Sequence, residues 1–349
     1  MTFENDHLSN DGYKSLKERI VVKVQERDMK KGTTVDGEDT CFAFNELVEL
    51  QKKKLWKESE KWHSDLYLTH FYAISEKDPS KYMLYLVLKR CDLILSELII
   101  KFHGNNCRNR NFIATKKFPV ILLKNIVDLF FSEMGWCHND LKPDNIGYQL
   151  DKKSGFYKIK LIDFGSMNGS QSFEPKNAKF SIFPGTALYL SWNKVPFSDS
   201  GEIILEDDDN MMEMPKEIDE LQALKTVSAT SKMALPNYGY GCGDNMWAIA
   251  IVILECIFGF PPSILFGLKY EEIFRCIRET DIYLYFKESE LYEKFYKDDE
   301  EFEVVDEFLR GALVQDPKER EKHYSFRTRD KYKVDQEQLK CTISEFIYI

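Results

Sequence analysis

The sequence predicts an α+β fold with a small strand-rich N-terminal part and a larger, mainly helical C-terminal part. Two observations predict it. Apolar, β-branched or aromatic runs at Ile20 to Val24, His70 to Ile74 and Tyr82 to Leu88 all precede Arg90. From Leu93 onward the pattern is mostly helical, interrupted by one hairpin. The chain has 349 residues, 43% hydrophobic and 14% aromatic. That is ample material for a buried core and excludes a mainly disordered protein.

Taken in order, Ile20 to Val24 reads as a buried strand containing Lys23. Burying an ammonium costs several kcal/mol unless it is paired, roughly, so Lys23 requires an acidic partner. A helix follows, with Phe44, Leu47, Val48, Leu55 and Trp56 on one face and ending near Trp62. Glu46 and Glu49 lie on neighbouring positions of that helix. Strands at His70 to Ile74 and Tyr82 to Leu88 come next, and Lys89, Arg90 and Asp92 break the pattern. A helix over Phe118 to Met134 leads into a polar loop at His138 to Asn145. The hairpin then has strands at Ile146 to Leu150 and Tyr157 to Ile162, joined by a turn at Asp151 to Gly155. Ser198 to Glu220 is strongly acidic and reads as a solvated insertion, and Met246 to Ile349 is helical in pattern.

Bulk properties narrow the function. A net charge of −10 leaves no basic excess to neutralise phosphates, which argues against nucleic acid as the main partner. It favours basic protein substrates instead. The eight cysteines are scattered, without a C-x-x-C pair, and suit a reduced, cytoplasmic protein. Met1 to Asn10 is polar and acidic, so no signal peptide is expected, and no membrane span either. The longest apolar run, Trp247 to Phe258, is too short to span and contains Glu255.

The chemistry lies in H-N-D-L-K-P-D-N at His138 to Asn145 and I-D-F-G at Ile162 to Gly165. These supply a carboxylate (Asp140), an ammonium (Lys142), an amide (Asn145) and a second carboxylate (Asp163). Phosphoryl transfer needs one group to orient the attacking hydroxyl, a cation by the phosphate and hard oxygen ligands for Mg²⁺. The two loops, in register around the hairpin, resemble the catalytic and metal-binding loops of eukaryotic-type Ser/Thr protein kinases. Gly185, Thr186 and Tyr189 resemble the end of an activation segment, and Trp247 with Glu255 the central helix. Asp316, Pro317 and Arg320 resemble the late D-P-x-x-R signature.

The resemblance implies a bilobal fold in one domain over 1–349, with an N-lobe at 1–90 and a C-lobe at 91–349. An acidic insertion at about 194–240 would offer a place for a regulatory partner. It implies ATP and Mg²⁺ as cofactors and protein substrates. Lys23 would hold the α- and β-phosphates, paired to Glu46 or Glu49. Leu88 would be the gatekeeper, with backbone of Lys89 to Cys91 on the adenine edge. Asp140 would orient the substrate hydroxyl and Lys142 would contact the γ-phosphate. Asn145 and Asp163 would ligate Mg²⁺, and Thr186 would bridge Asp140 and Lys142.

The pattern also departs from the family. Before Lys23 the only glycine is Gly12, so no glycine-rich loop is recognisable. Kinases lacking that loop in some parasites, and minimal kinases that bacterial pathogens deliver into host cells, are the nearest analogies. Asn139 replaces the arginine that clamps a phosphorylated loop, which implies activity without activation-loop phosphorylation. Ser191-Trp192-Asn193 stands at the A-P-E position, which deprives Arg320 of its glutamate. Asn245 replaces the central-helix aspartate, with Asp244 beside it. These departures keep alternatives open: a pseudokinase scaffold, or a kinase-like transferase acting on a small molecule or transferring AMP.

Overall fold

The structure is a computed structural model, described here for residues 20–28, 67–103, 118–123, 126, 136–138, 140–153, 155–163, 168–169, 186–191, 242–262, 280–316 and 319–320. Helices and small antiparallel sheets are both present, as an α+β chain requires. The chain divides into two compact units, Met1–Asp92 with Lys160–Gly165, and Leu93–Ile159 with Ser166–Ile349.

The first unit contains an antiparallel sheet of β1 (Ile20–Asp28), β2 (Tyr67–Ile74) and β3 (Lys81–Lys89), in the order β1-β3-β2. Beta-branched and aromatic residues suit these pleated surfaces. β3 is central, and its Leu84 and Leu86 are buried. Side chains directly opposite share a face, so Lys23, paired with Leu86, lies on the face of those leucines. On the other face the rings of Phe71 and Tyr85 stack at 4.7 Å. The β2–β3 connection is held by Asp78, whose carboxylate accepts from the Ser80 N–H at 2.9 Å and hydroxyl at 2.7 Å.

β1 differs from expectation. It is longer, and Val21, Val22 and Val24 are 46%, 43% and 46% exposed rather than buried. The reason is its place in the sheet. Among the described residues β1 pairs with β3 alone, so it is packed less than a central strand.

A further sheet is formed by β4 (Leu93–Ile94), β6 (Ile146–Asp151) and β7 (Phe156–Leu161), in the order β4-β6-β7. The β6–β7 hairpin lies where the sequence predicts it, and Gly155 takes φ 71° in its turn. Leu93 and Ile94, expected to be helical, instead pair with Tyr148 and Gly147 before helix α1 (Leu95–His103) begins. Of the helix expected over 118–134, the described residues 118–123 and 126 are helical and buried. β5 (Trp136–Cys137) pairs with β8 (Asn168–Gly169).

The core of the second unit is α2 (Cys242–Phe258). Its residues from Met246 to Cys256 are nearly inaccessible and all apolar but Glu255, as suits a helix enclosed by neighbours. Gly259 ends it at φ +85°, where the ring of His103 lies 2.7 Å from the site a Cβ would take. His103 Nε2 donates to the Cys256 carbonyl at 2.9 Å. Helices α3 (Ile282–Lys287), α4 (Glu290–Phe295) and α5 (Glu303–Ala312) follow, joined by an aromatic cluster of Phe286, Tyr292, Tyr296 and Phe302.

Candidate functional site

Each unit carries part of the predicted set. In the second unit, the loop after β5 turns through a 3₁₀ segment at Pro143–Asn145, where proline pre-sets the first turn. This turn brings the Asn145 amide back onto Asp140. Its Nδ2 donates to the Asp140 carbonyl at 2.8 Å and to Asp140 Oδ2 at 3.0 Å. Both amide hydrogens are thereby spent on one residue, which leaves Oδ1 as the atom with which Asn145 can meet a cation.

Lys142 Nζ lies 3.3 Å from Asp140 Oδ2 and donates to Thr186 Oγ1 at 2.8 Å. Thr186 in turn donates to Asp140 Oδ1 at 2.7 Å. Asp140, Lys142, Asn145 and Thr186 thus form one closed network. Thr186 and Asn145 are buried, while the Asp140 and Lys142 side chains are 15% and 16% exposed. A carboxylate fixed from three directions and still open to solvent can receive a proton from a hydroxyl at little reorganisation cost.

The network hangs on α2. The His138 N–H donates to Asn245 Oδ1 at 3.1 Å, so the amide accepts from the loop as its carbonyl chemistry allows. The preceding residue, Asp244, accepts from Ser191 Oγ at 2.8 Å and from Arg320 Nη2 at 3.3 Å. Arg320 is fully buried, also donates to the Val314 carbonyl at 2.8 Å, and stacks its guanidinium 5.3 Å from the Trp247 ring. Deprived of its glutamate by the sequence at 191–193, Arg320 is nevertheless held by a carboxylate. A buried guanidinium demands a charged partner, and Asp244 supplies it from a different place in the sequence. The Tyr189 hydroxyl donates to Glu255 Oε2 at 2.5 Å. Burial first, and the neighbouring Glu255 charge second, hold that phenol well above its ordinary pKa, so it stays a donor.

In the first unit, Lys23 Nζ bonds Asp163 Oδ1 at 2.6 Å. The acidic partner that Lys23 requires therefore includes Asp163, which sequence reasoning placed with the metal. The two side chains are 29% and 37% exposed, so the pair contributes little to stability, about 1 kcal/mol or less. Asp163 holds φ 62°, a left-handed conformation uncommon outside glycine. Such strain costs about 1 kcal/mol or more and concentrates at functional positions. Leu88 pairs with Val21 and Tyr67 and is half-buried; Lys89 ends β3, and Cys91 is buried.

Among the described residues no group of three or more His, Cys, Asp and Glu side chains could hold a metal by itself. Asn145 and Asp163 each offer a hard oxygen, the type of donor that Mg²⁺ prefers. No helix is long and apolar enough to cross a membrane among the described residues. Glu46, Glu49, Asn139, Gly185, Asn193, Pro317 and the acidic insertion lie outside the described residues. Sequence reasoning missed the Ser191–Asp244–Arg320 contact. Its one signal was a carboxylate next to the amide at Asn245, with a serine in a segment lacking its usual acid.

No family model matches the chain. Curated proteins do. Serine/threonine-protein kinase cot-1 of Neurospora crassa is 24% identical over 139 residues, 37% of this chain and 21% of the relative. Serine/threonine-protein kinase CBK1 of Yarrowia lipolytica is 27% identical over 139 residues, with 23% of its length covered. Serine/threonine-protein kinase tricornered of Drosophila melanogaster is 25% identical over 146 residues, with 27% covered. The chain thus spans about a quarter of the length of these relatives or less. Over this stretch the chain is similar to the serine/threonine protein kinases, as a divergent relative of them.

Proposed function

We propose that this chain is an ATP- and Mg²⁺-dependent protein kinase that transfers the γ-phosphate to Ser or Thr of protein substrates. The observation that carries the reading is the closed network of Asp140, Lys142, Asn145 and Thr186, at 2.7–3.3 Å. A scaffold that binds partners without chemistry has no physical need for a partly exposed carboxylate braced in this way. The names of the relatives support the same class.

In this reading Asp140 orients the substrate hydroxyl and takes its proton as the oxygen attacks the γ-phosphorus. The bond from that phosphorus to the β,γ-bridging oxygen breaks, and ADP leaves. Lys142 neutralises charge on the transferred group, and Thr186 keeps Asp140 and Lys142 in place. Lys23 holds the α- and β-phosphates, and Glu46 or Glu49 shares it with Asp163. Leu88 and the backbone from Lys89 to Cys91 meet the adenine. Asn145 and Asp163 would hold Mg²⁺, which when bound spreads the negative charge of the phosphates. The bilobal division, N-lobe 1–90 and C-lobe 91–349, belongs to the same proposal. The acidic surface favours basic protein substrates over nucleic acid. Asn139 makes activation-loop phosphorylation unnecessary.

The test incubates purified, unphosphorylated protein with Mg²⁺, basic acceptor proteins and ATP labelled at the γ-phosphate. Label transfer that falls by about a thousandfold or more in Asp140→Ala is expected. Transfer equal in the variant, or none from either protein, would contradict the proposal. ATP binding without transfer would leave the scaffold as the better reading.

A further inference from the structure

The segment from Thr186 to Ser191 is fastened to α2 at both ends of that helix. Ser191 Oγ donates to Asp244 Oδ1 at 2.8 Å, and the Tyr189 hydroxyl to Glu255 Oε2 at 2.5 Å. Between them the chain makes a 3₁₀ turn at Ala187–Tyr189, closed by the Tyr189 N–H on the Thr186 carbonyl at 2.9 Å. The first residue of this short segment is Thr186, the group that holds Asp140 and Lys142. Any play at Ser191 is therefore passed over a few residues to the network.

The chemistry of the fastening is unusual. Asp244 and Asn245 are adjacent on α2, so their side chains leave the helix about 100° apart, as 3.6 residues per turn requires. The amide faces the loop and accepts the His138 N–H; the carboxylate faces Ser191 and Arg320. Asp244 is 7% exposed, Ser191 1% and Arg320 not at all. In that dry setting the carboxylate meets the guanidinium of Arg320 at Nη2, and the same Oδ1 serves the hydroxyl as well.

We propose that Asp244 is a positioning residue. It fixes Ser191 and so sets Thr186 and, through Thr186, the Asp140 carboxylate. It supplies from inside the central helix the charge that is absent at positions 193 and 245. The proposal rests on the transferase reading, since it assigns Asp244 a share in the rate of transfer.

The test measures kcat, KM for Mg-ATP and amide hydrogen exchange on the full chain. Asp244→Ala should lower kcat about ten- to a hundredfold with KM for Mg-ATP nearly unchanged. Ser191→Ala removes one hydroxyl, retains the ion pair, and should lower kcat about fivefold. In a Thr186→Ala background, Ser191→Ala should have little further effect, because its route to Asp140 is already cut. A merely structural role would instead lower activity by the same factor in both backgrounds, and that result would overturn the proposal.

Exchange supplies the second readout. In Ser191→Ala, amides from Thr186 to Ser191 should exchange faster while α2 keeps its protection; unchanged exchange there would overturn the clamp even if Asp244→Ala fails to fold. If the wild-type protein transfers no phosphate, the transferase reading fails, and exchange alone still decides whether Asp244 holds the segment.

Discussion

Gly259 shows how much one residue can be asked to do. It ends α2 with φ +85°, and a Cβ there would sit 2.7 Å from the His103 ring. Conformation and space both forbid a side chain, so Gly259→Ala should destabilise the chain by about 1–3 kcal/mol. Urea unfolding would measure it as a lowered midpoint with the slope unchanged. Asp163 is the converse case, a residue with a side chain kept at φ 62°. Its carboxylate bonds Lys23, and glycine in its place would relieve the backbone and lose that bond. At this scale the sequence was most readable where chemistry dictates type. Asp140, Lys142 and Asn145 were singled out from their order along the chain and Thr186 from the resemblance to kinases, and the structure brings these four together. The partner of Arg320 was not legible, because a buried charge selects the nearest carboxylate in space, and spacing along the chain does not encode that distance.

Elements tell a similar story with a different cause. β2, β3 and the β6–β7 hairpin were legible because β-branched and aromatic runs bounded by polar turns have few other uses. α2 was legible because its apolar run is long, broken only by Glu255, and too short for a membrane. β4 was not: two residues carry no periodicity, and Leu93 and Ile94 became a strand through pairing with β6. The burial of β1 was misread for the same reason, since neighbours rather than composition decide it. Helices α3 and α4 are short enough for their caps to matter. Asp281 accepts from the Leu284 N–H at 2.9 Å, and Ser289 from the Tyr292 N–H at 3.2 Å. Asp281→Ala and Ser289→Ala should each cost about 1 kcal/mol, read by thermal unfolding, and should leave transfer activity nearly intact. Full activity loss in either would show that these helices serve the site directly.

For the whole molecule, alkali is the informative stress. Burial pushes the Tyr148 and Tyr189 phenols and the Cys256 thiol well above their ordinary pKa values, and it raises Tyr296 too. A raised folded pKa means the unfolded chain gives up its proton first. The stability tied to these groups is then complete below the ordinary thiol and phenol range and is lost as pH rises through it. Each group contributes a slope of about 1.4 kcal/mol per pH unit in that window. Stability should therefore decline steeply above about pH 9, where unfolded thiols begin to ionise, and more steeply above about pH 10. A flat unfolding midpoint between about pH 8 and 11 would contradict the burial of these residues.

The central claim is transfer of a phosphoryl group to protein, and intact-mass analysis of a basic acceptor tests it most directly. The acceptor would be incubated with Mg-ATP and either the wild-type chain or Asp163→Asn. The account predicts acceptor molecules heavier by whole phosphoryl groups with the wild-type chain, and about a thousandfold fewer with the variant. An acceptor of unchanged mass, or one heavier by AMP, would contradict it.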